Sequence, residues 1–526
     1  MFRRRLASVP FLALVPVACM VLYAMHQAAV LYTSPSGHDQ SWYLIAANRV
    51  LNGAQMYGPY VSDTNPPLVV WFSVLPVLMS RIFPMSATMC LRLLVFVLLM
   101  GSTIWSMRML RRWEVVQRGA VRAFGALAIL YVGLRIDPWN FGQREHLFVI
   151  LALPYLFAIG TGEISGLSRA ERCALGVAAG IAICFKPHQA LAIIAAELVL
   201  ALDRRSPRRL ISPEVLALIA TGAAYLLAVR VVTPAYTRQI VPLLVETYWA
   251  YGTSSVFALV MSMELRIVVA LVLLGLSVFV VRSHPFSLTA AVFGAASVGS
   301  SFAYALQRTD WPYHRSPSSA FLILSATFFV LSLLPAPIGG WERYSLNGAV
   351  AAVCLTAAVA AGLGFFPRQL RRPPVQRSDV YRFLKEQGQP GTVLVFSTTV
   401  GWLADVADLG WQWGARFPCL SFFPAIVLNE QGPVDEERPF KQLSATTLAA
   451  VSKVQRDEIA QDLNHFQPSI VMIEQCDDAH ECQTLEGRNV DTLAWFQKDS
   501  GFRQAWSHYA QQPNGPAAFA LYRRVR

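Results

Sequence analysis

The chain of 526 residues is 55% hydrophobic and only 14% charged, against roughly 25% charged in an average soluble domain. A soluble globule is excluded, and repeated apolar runs make this an α-helical polytopic membrane protein. The formal charge of +12 is uneven: residues 1–366 hold 27 basic and 14 acidic groups, residues 367–526 hold 17 and 18. The basic excess belongs to the membrane part, where arginines set topology and meet anionic lipid, so it gives no argument for a nucleic-acid partner.

Arg3, Arg4 and Arg5 precede an apolar stretch from about Val9 to Leu31 that lacks a convincing cleavage site and is expected to be an uncleaved first span, its amino end in the cytoplasm. Further apolar runs lie near 87–107, 119–136, 147–161, 170–185, 189–202, 214–232, 264–281, 287–305, 317–335 and 347–366, eleven spans in all. Basic clusters at Arg108/Arg111/Arg112/Arg118/Arg122, Arg169/Arg172 and Arg204/Arg205/Arg208/Arg209 fall on alternate, cytoplasmic connections. This topology requires that Leu68–Phe83, preceded by Pro66-Pro67 and interrupted by Pro76, lies in or dips into the interface.

Eleven spans place the tail outside. The division is a membrane module over 1–366, with its first outside loop at 32–86, and an extracytoplasmic α/β domain over 367–526, entered through Arg371-Arg372-Pro373-Pro374. Strands are expected at Thr392–Ser397, Ser469–Glu474 and Ala517–Arg523, and a helix at Asp491–Ala510. Cys19, Cys90, Cys173, Cys184 and Cys354 read as small buried hydrophobes in spans. Cys476 and Cys482 suit a disulfide, with a metal site involving His480 as the weaker alternative.

Ionisable groups at span ends are costly, which makes them functional candidates. Most of them fall outside, where a few carboxylates mix with several cations, as a general base facing a phosphate-linked donor would need. The first outside loop is the most specific: Gly37-His38-Asp39-Gln40-Ser41-Trp42-Tyr43-Leu44-Ile45-Ala46-Ala47-Asn48-Arg49-Val50-Leu51-Asn52-Gly53, then Tyr57, Asp63 and Asn65-Pro66-Pro67-Leu68. An acidic residue just after the first span, an amphipathic helix, a Gly, an aromatic and a closing Pro-Pro-Leu resemble the C-type glycosyltransferase superfamily. That group includes the protein O-mannosyltransferases and the aminoarabinose transferase acting on lipid A. The residue-level match covers about thirty positions, and the many-span layout with an outside carboxy-terminal domain agrees with many members.

The resemblance implies that Asp39 is catalytic, deprotonating or orienting an acceptor nucleophile. Its structural alternative is to cap a helix beginning near Ser41. Asp63 is either a second acid or a turn residue before Asn65. The resemblance also implies a second acidic position in the next outside loop, Arg135-Ile136-Asp137-Pro138-Trp139-Asn140-Phe141-Gly142-Gln143-Arg144-Glu145-His146, where Asp137 or Glu145 could assist Asp39. Asp137 could equally end a helix, and Arg144 with Glu145 could be an interfacial ion pair.

Cations are needed to hold a lipid phosphate as the glycosidic bond breaks. Lys186, Arg308 and Arg315 are the expected partners, with Arg144 as a further candidate, while His38, His146, His188, Asp310 and His314 complete the polar set around substrate. For any one cation the alternative is snorkelling to lipid headgroups.

The resulting expectation is an inverting glycosyltransferase of a bacterial inner membrane. It takes a polyprenyl-phosphate-linked sugar, because no nucleotide sugar reaches the periplasmic face, and passes it to a lipid, glycan or protein acceptor. No cofactor is required by the sequence; Asp39 with another carboxylate could hold a divalent cation, as some C-type enzymes do. The competing classes are a lipid or saccharide transporter, disfavoured by candidate residues crowding one side and by the lack of an inverted repeat, and a non-catalytic assembly subunit.

Overall fold

The computed structural model of the chain describes residues 11–111, 119–136, 138–281, 286–333, 378–433, 438–477, 479–480 and 482–525. The last expected span (347–366), the linker at Arg371–Pro374 and the basic residues Arg3, Arg4, Arg5, Arg112 and Arg118 lie outside the described residues. The chain divides into two compact units. The first comprises Met1–Thr33, Arg92–Tyr225 and Val256–Arg372; the second comprises Ser34–Leu91, Leu226–Ser255 and Pro373–Arg526.

Each of the remaining expected spans falls on a helix, among them Phe11–Thr33, Ala87–Arg111, Gly119–Leu134, Arg144–Gly160, Arg169–Phe185, Ala190–Asp203, Pro213–Val232, Ser287–Leu306 and Ser316–Ser332. Among the described residues, Ala87–Leu110, Pro213–Val232 and Ser287–Leu306 are long and apolar enough to cross a bilayer unaided. Val256–Ser262 and Glu264–Phe279 form a further apolar pair, bent by 65° at Met263. Leu68–Ile82 is a helix of 15 residues carrying Pro76 in its interior, short for a full crossing at 1.5 Å per residue.

The core of the first unit is aromatic. Phe157 packs edge-on to Phe293 at 4.8 Å and to Phe328 at 5.5 Å, so helices Arg144–Gly160, Ser287–Leu306 and Ser316–Ser332 share one buried seam. Small residues let backbones approach: a Cβ on Gly299 would stand 2.4 Å from the Leu191 carbonyl oxygen, and one on Gly176 would stand 2.0 Å from that of Glu214.

Two of the expected cytoplasmic arginines lie in a buried network. Arg172 Nε donates to Glu214 Oε2 at 2.7 Å. Arg209 pairs with Glu197 at 3.1 Å and also with Glu214, while Tyr155 Oη donates to Glu197 Oε1 at 2.5 Å. These charges tie helix ends to one another, so lipid headgroups need not be their partners.

In the second unit, helix His38–Leu51 packs on Leu68–Ile82. The Arg81 guanidinium donates to Asn48 Oδ1 and Asn52 Oδ1, each at 2.8 Å. The tail sheet has five strands: β1 Thr392–Phe396, β2 Gln412–Trp413, β3 Ile470–Glu474, β4 Tyr509–Gln512 and β5 Phe519–Arg524, in the order β2-β1-β3-β5-β4. The β1 pairings are parallel and the β5 pairings antiparallel. Strands β1 and β3 are apolar and buried except at Thr392 and Glu474, as strands covered on both faces are.

The single helix expected over Asp491–Ala510 is instead two, Thr492–Phe496 and Ser500–Trp506, followed by β4. Asp499 causes the break, because its side chain accepts from Phe502 N at 2.8 Å and caps the second helix. Helix Ala445–Phe466, capped by Ser444 and closed by left-handed Gln467, is the longest element of the tail. Cys476 and Cys482 are joined by a disulfide.

Candidate active site

Asp39 sits in the first turn of helix His38–Leu51, whose N-cap is Gly37; Asp39 is therefore a helical residue and not the cap. Ser41, where the sequence suggested a start, is already inside the helix, its N–H bonded to Gly37 O at 2.9 Å. His38 Nε2 stands 3.4 Å from Asp39 Oδ1. Asp39 is partly exposed, as a base that meets an incoming hydroxyl must be.

Asp63 is fully buried and committed to structure. Oδ2 accepts from Trp42 Nε1 at 2.7 Å, while Oδ1 accepts from Asn65 N at 2.7 Å and Asn65 Nδ2 at 2.9 Å. The turn role weighed from the sequence is therefore present, with a link to the Asp39 helix through Trp42. Tyr57, at a left-handed φ of 59°, donates to Asn65 O at 2.7 Å and tightens the same loop.

In the first unit three predicted residues meet. Glu145, with no exposed surface, pairs through Oε1 with Lys186 Nζ at 2.6 Å and lies 3.3 Å from His314 Nε2. Lys186 and His314 Nε2 are 3.2 Å apart, and His314 Nδ1 meets Thr309 Oγ1 at 3.0 Å. A buried charge pair of this kind holds two connections together. Lys186, expected as a phosphate partner, already faces a carboxylate.

His146 is also structural in geometry. Its Nδ1 accepts from Gly142 N at 3.0 Å, which leaves Nε2 to donate to Gly133 O at 2.7 Å. It thereby pins the loop that carries Arg135 and Asn140. Arg144 is buried beside Glu145 at the start of the same helix. Asp137 lies outside the described residues. His188 and Arg308 are exposed, Arg308 at a left-handed φ of 57°. Arg315 pairs with Asp310 and donates to Tyr304 Oη at 2.9 Å, and that hydroxyl in turn donates to Asp310 Oδ1 at 2.5 Å.

Arg315 does more than close that triad. With Arg135 and Arg266 it lines a cavity of about 320 Å³ whose wall also includes His146, Tyr313 and Ser319. Three arginines from three separate segments thus line one void, and no Asp or Glu is among the residues of its wall. That arrangement suits an anion bound by paired N–H donors. Sequence reasoning named Arg315 for this task and left out Arg266, a lone arginine at the start of an apolar helix. Among the described residues no group of three or more His, Cys, Asp or Glu side chains could hold a metal ion.

No protein-family model matches the chain, and no curated protein does. Among solved structures it is similar to ArnT from Cupriavidus metallidurans bound to undecaprenyl phosphate. The TM-score is 0.50 at 14% identity, over 96% of this chain and 97% of that one. The likeness therefore spans membrane helices, first loop and tail together, and it establishes the fold.

Proposed function

Given that the chain has the C-type membrane glycosyltransferase fold, we propose that it transfers a sugar from a polyprenyl-phosphate carrier to an acceptor at the periplasmic face of a bacterial inner membrane, with Asp39 as general base. The observation that carries this reading is the cavity shared by Arg135, Arg266 and Arg315, in a chain whose structural neighbour was solved with undecaprenyl phosphate bound.

Asp39 takes the proton from an acceptor hydroxyl as that oxygen attacks the anomeric carbon. The bond from that carbon to the phosphate oxygen breaks, and polyprenyl phosphate leaves with the electron pair. The arginines hold the phosphate and offset the charge that grows on it, and configuration inverts because attack and departure occur on opposite faces. Asp137 and Glu145 are proposed as assistants. Glu145 acts by keeping Lys186 and His314 in place, a positioning part. Of the remaining predicted residues, His38 orients Asp39, Arg144 adds positive potential, Lys186 is held by Glu145 in the positioning pair, and Asp63 fixes the loop. Arg308, Asp310 and His188 shape the polar rim, and His314 backs the buried Glu145–Lys186 pair. A divalent cation is compatible with Asp39, and the scheme needs none.

The test is transfer of labelled sugar from a panel of polyprenyl-phosphate donors by the full chain in lipid nanodiscs. Turnover with at least one carrier supports the proposal, and neither binding nor turnover across the panel refutes it.

A further inference from the structure

The second unit contains a larger cavity, of about 790 Å³, that the proposed chemistry does not use. Its wall brings together Gln55, Tyr57 and Ser62 of the first loop, Gln239, and Glu458 and Gln461 of helix Ala445–Phe466. A void of this size takes a ligand of several rings.

The lining is planar amides, hydroxyls and one carboxyl beside the apolar surface of Pro242 and Leu243. Its one arginine is already engaged: Arg416 Nε donates to Asp462 Oδ1 at 2.8 Å, and its guanidinium also reaches Gln461 Oε1 at 2.9 Å and Glu458 O at 3.3 Å. Such a wall offers little to a phosphate. It matches the alternating donors and acceptors and the apolar ring faces of a sugar. We infer that this cavity is the acceptor subsite and that the acceptor presents a saccharide to it, an inference that rests on the glycosyltransferase reading above.

Glu458 contributes to the cavity wall while its Oε2 stays buried without a hydrogen-bond partner. Burial pushes the Glu458 carboxyl up to about 8 against the opposing pull of Arg416. It is therefore largely protonated at neutral pH and able to donate as well as accept. Gln461, held through Oε1 by Arg416, is oriented beside it one position short of a helical turn away.

Saturation-transfer difference NMR on the full chain in nanodiscs, with chitobiose and cellobiose as probes, tests this. The native chain is expected to transfer saturation to the ring protons of at least one disaccharide. Gln461→Ala and Glu458→Ala, each checked for an unchanged melting curve, should weaken that binding about tenfold for a lost hydrogen bond. Undecaprenyl phosphate should not displace the probe. No saturation transfer to either disaccharide, binding unaltered in both variants, or displacement by the lipid phosphate would overturn the inference. Sugar transfer from a carrier without disaccharide binding would sink this subsite alone. Disaccharide held at the cavity with no transfer from any carrier would sink the glycosyltransferase reading alone.

Discussion

Glu145 and Lys186, forty-one positions apart, form a buried ion pair of 2.6 Å with His314 against both. Glu145 starts one apolar helix, Lys186 caps the end of another, and His314 sits in the 3-10 turn leading into Ser316–Ser332, so the cluster fixes the loops that carry Arg135, Asn140 and Arg315. Removing one charge leaves the other buried without its partner, which costs about 3–5 kcal/mol. Lys186→Met should therefore lower the melting temperature more than the double variant Glu145→Leu/Lys186→Met does. Thermal unfolding in detergent reads the difference, and equal losses would show that the two charges are not coupled.

The cavity of Arg135, Arg266 and Arg315 is the proposed seat of the lipid phosphate, and Arg266 is its least anticipated member. Arg266→Ala should weaken undecaprenyl phosphate binding about tenfold, at roughly 1.5–3 kcal/mol for a charged hydrogen bond lessened by screening. Arg266→Lys should weaken it less. Native mass spectrometry of lipid-bound protein checks this, with rising salt expected to narrow the gap between native and Ala forms.

Asp63 ties Trp42 to the turn at Asn65. Asp63→Ala leaves a buried indole N–H and a backbone N–H without their acceptor, a loss of about 1–3 kcal/mol for each buried donor. Asp63→Asn keeps one acceptor oxygen and should lie between. Melting temperature gives the order. Should Asp63→Ala melt like the native chain, the anchor role is refuted.

Stability of the second unit should fall as pH rises. Burial raises Glu458 to about 8 and, despite Arg416, Asp462 to about 6. A carboxyl whose folded pKa is raised binds its proton more tightly when folded, so its contribution is complete below about pH 4, the unfolded value, and is lost as pH climbs through the folded one. The Asp462 contribution is lost first, approaching pH 6, and that of Glu458 by about pH 8. Urea titrations between pH 6 and 9, followed by tail tryptophan fluorescence, should show declining stability that Glu458→Gln flattens. A rising or level profile in the native chain contradicts this.

The helices at the described apolar runs are legible because uninterrupted apolar runs of that length have few other uses. The candidate site was legible one residue at a time. Asp39, Glu145, Lys186, His314 and Arg315 stood out as charges at span ends, but which of them meet depends on loop paths that carry no periodic signal. Hence the sequence alone points Lys186 toward phosphate although it pairs with Glu145, and Arg266 draws no attention because one arginine heading an apolar helix reads as an interfacial anchor. In the tail, β1 and β3 showed as short apolar strands. Helix Ala445–Phe466 went unmarked because its surface is largely polar, although Ser444 and Pro468 bracket it with a cap and a stop. The Asp499 cap inside an otherwise helical stretch was the signal for the break that the sequence reading ran across.

Asp39 is the residue on which the proposed transfer depends. Native chain and Asp39→Asn should be compared in nanodiscs for transfer of labelled sugar from a polyprenyl-phosphate donor, with donor binding measured in parallel. Loss of transfer by a factor of about 10²–10⁴, the range for a general base, with donor binding and melting temperature retained, is the predicted result. Transfer by Asp39→Asn at the native rate would contradict it.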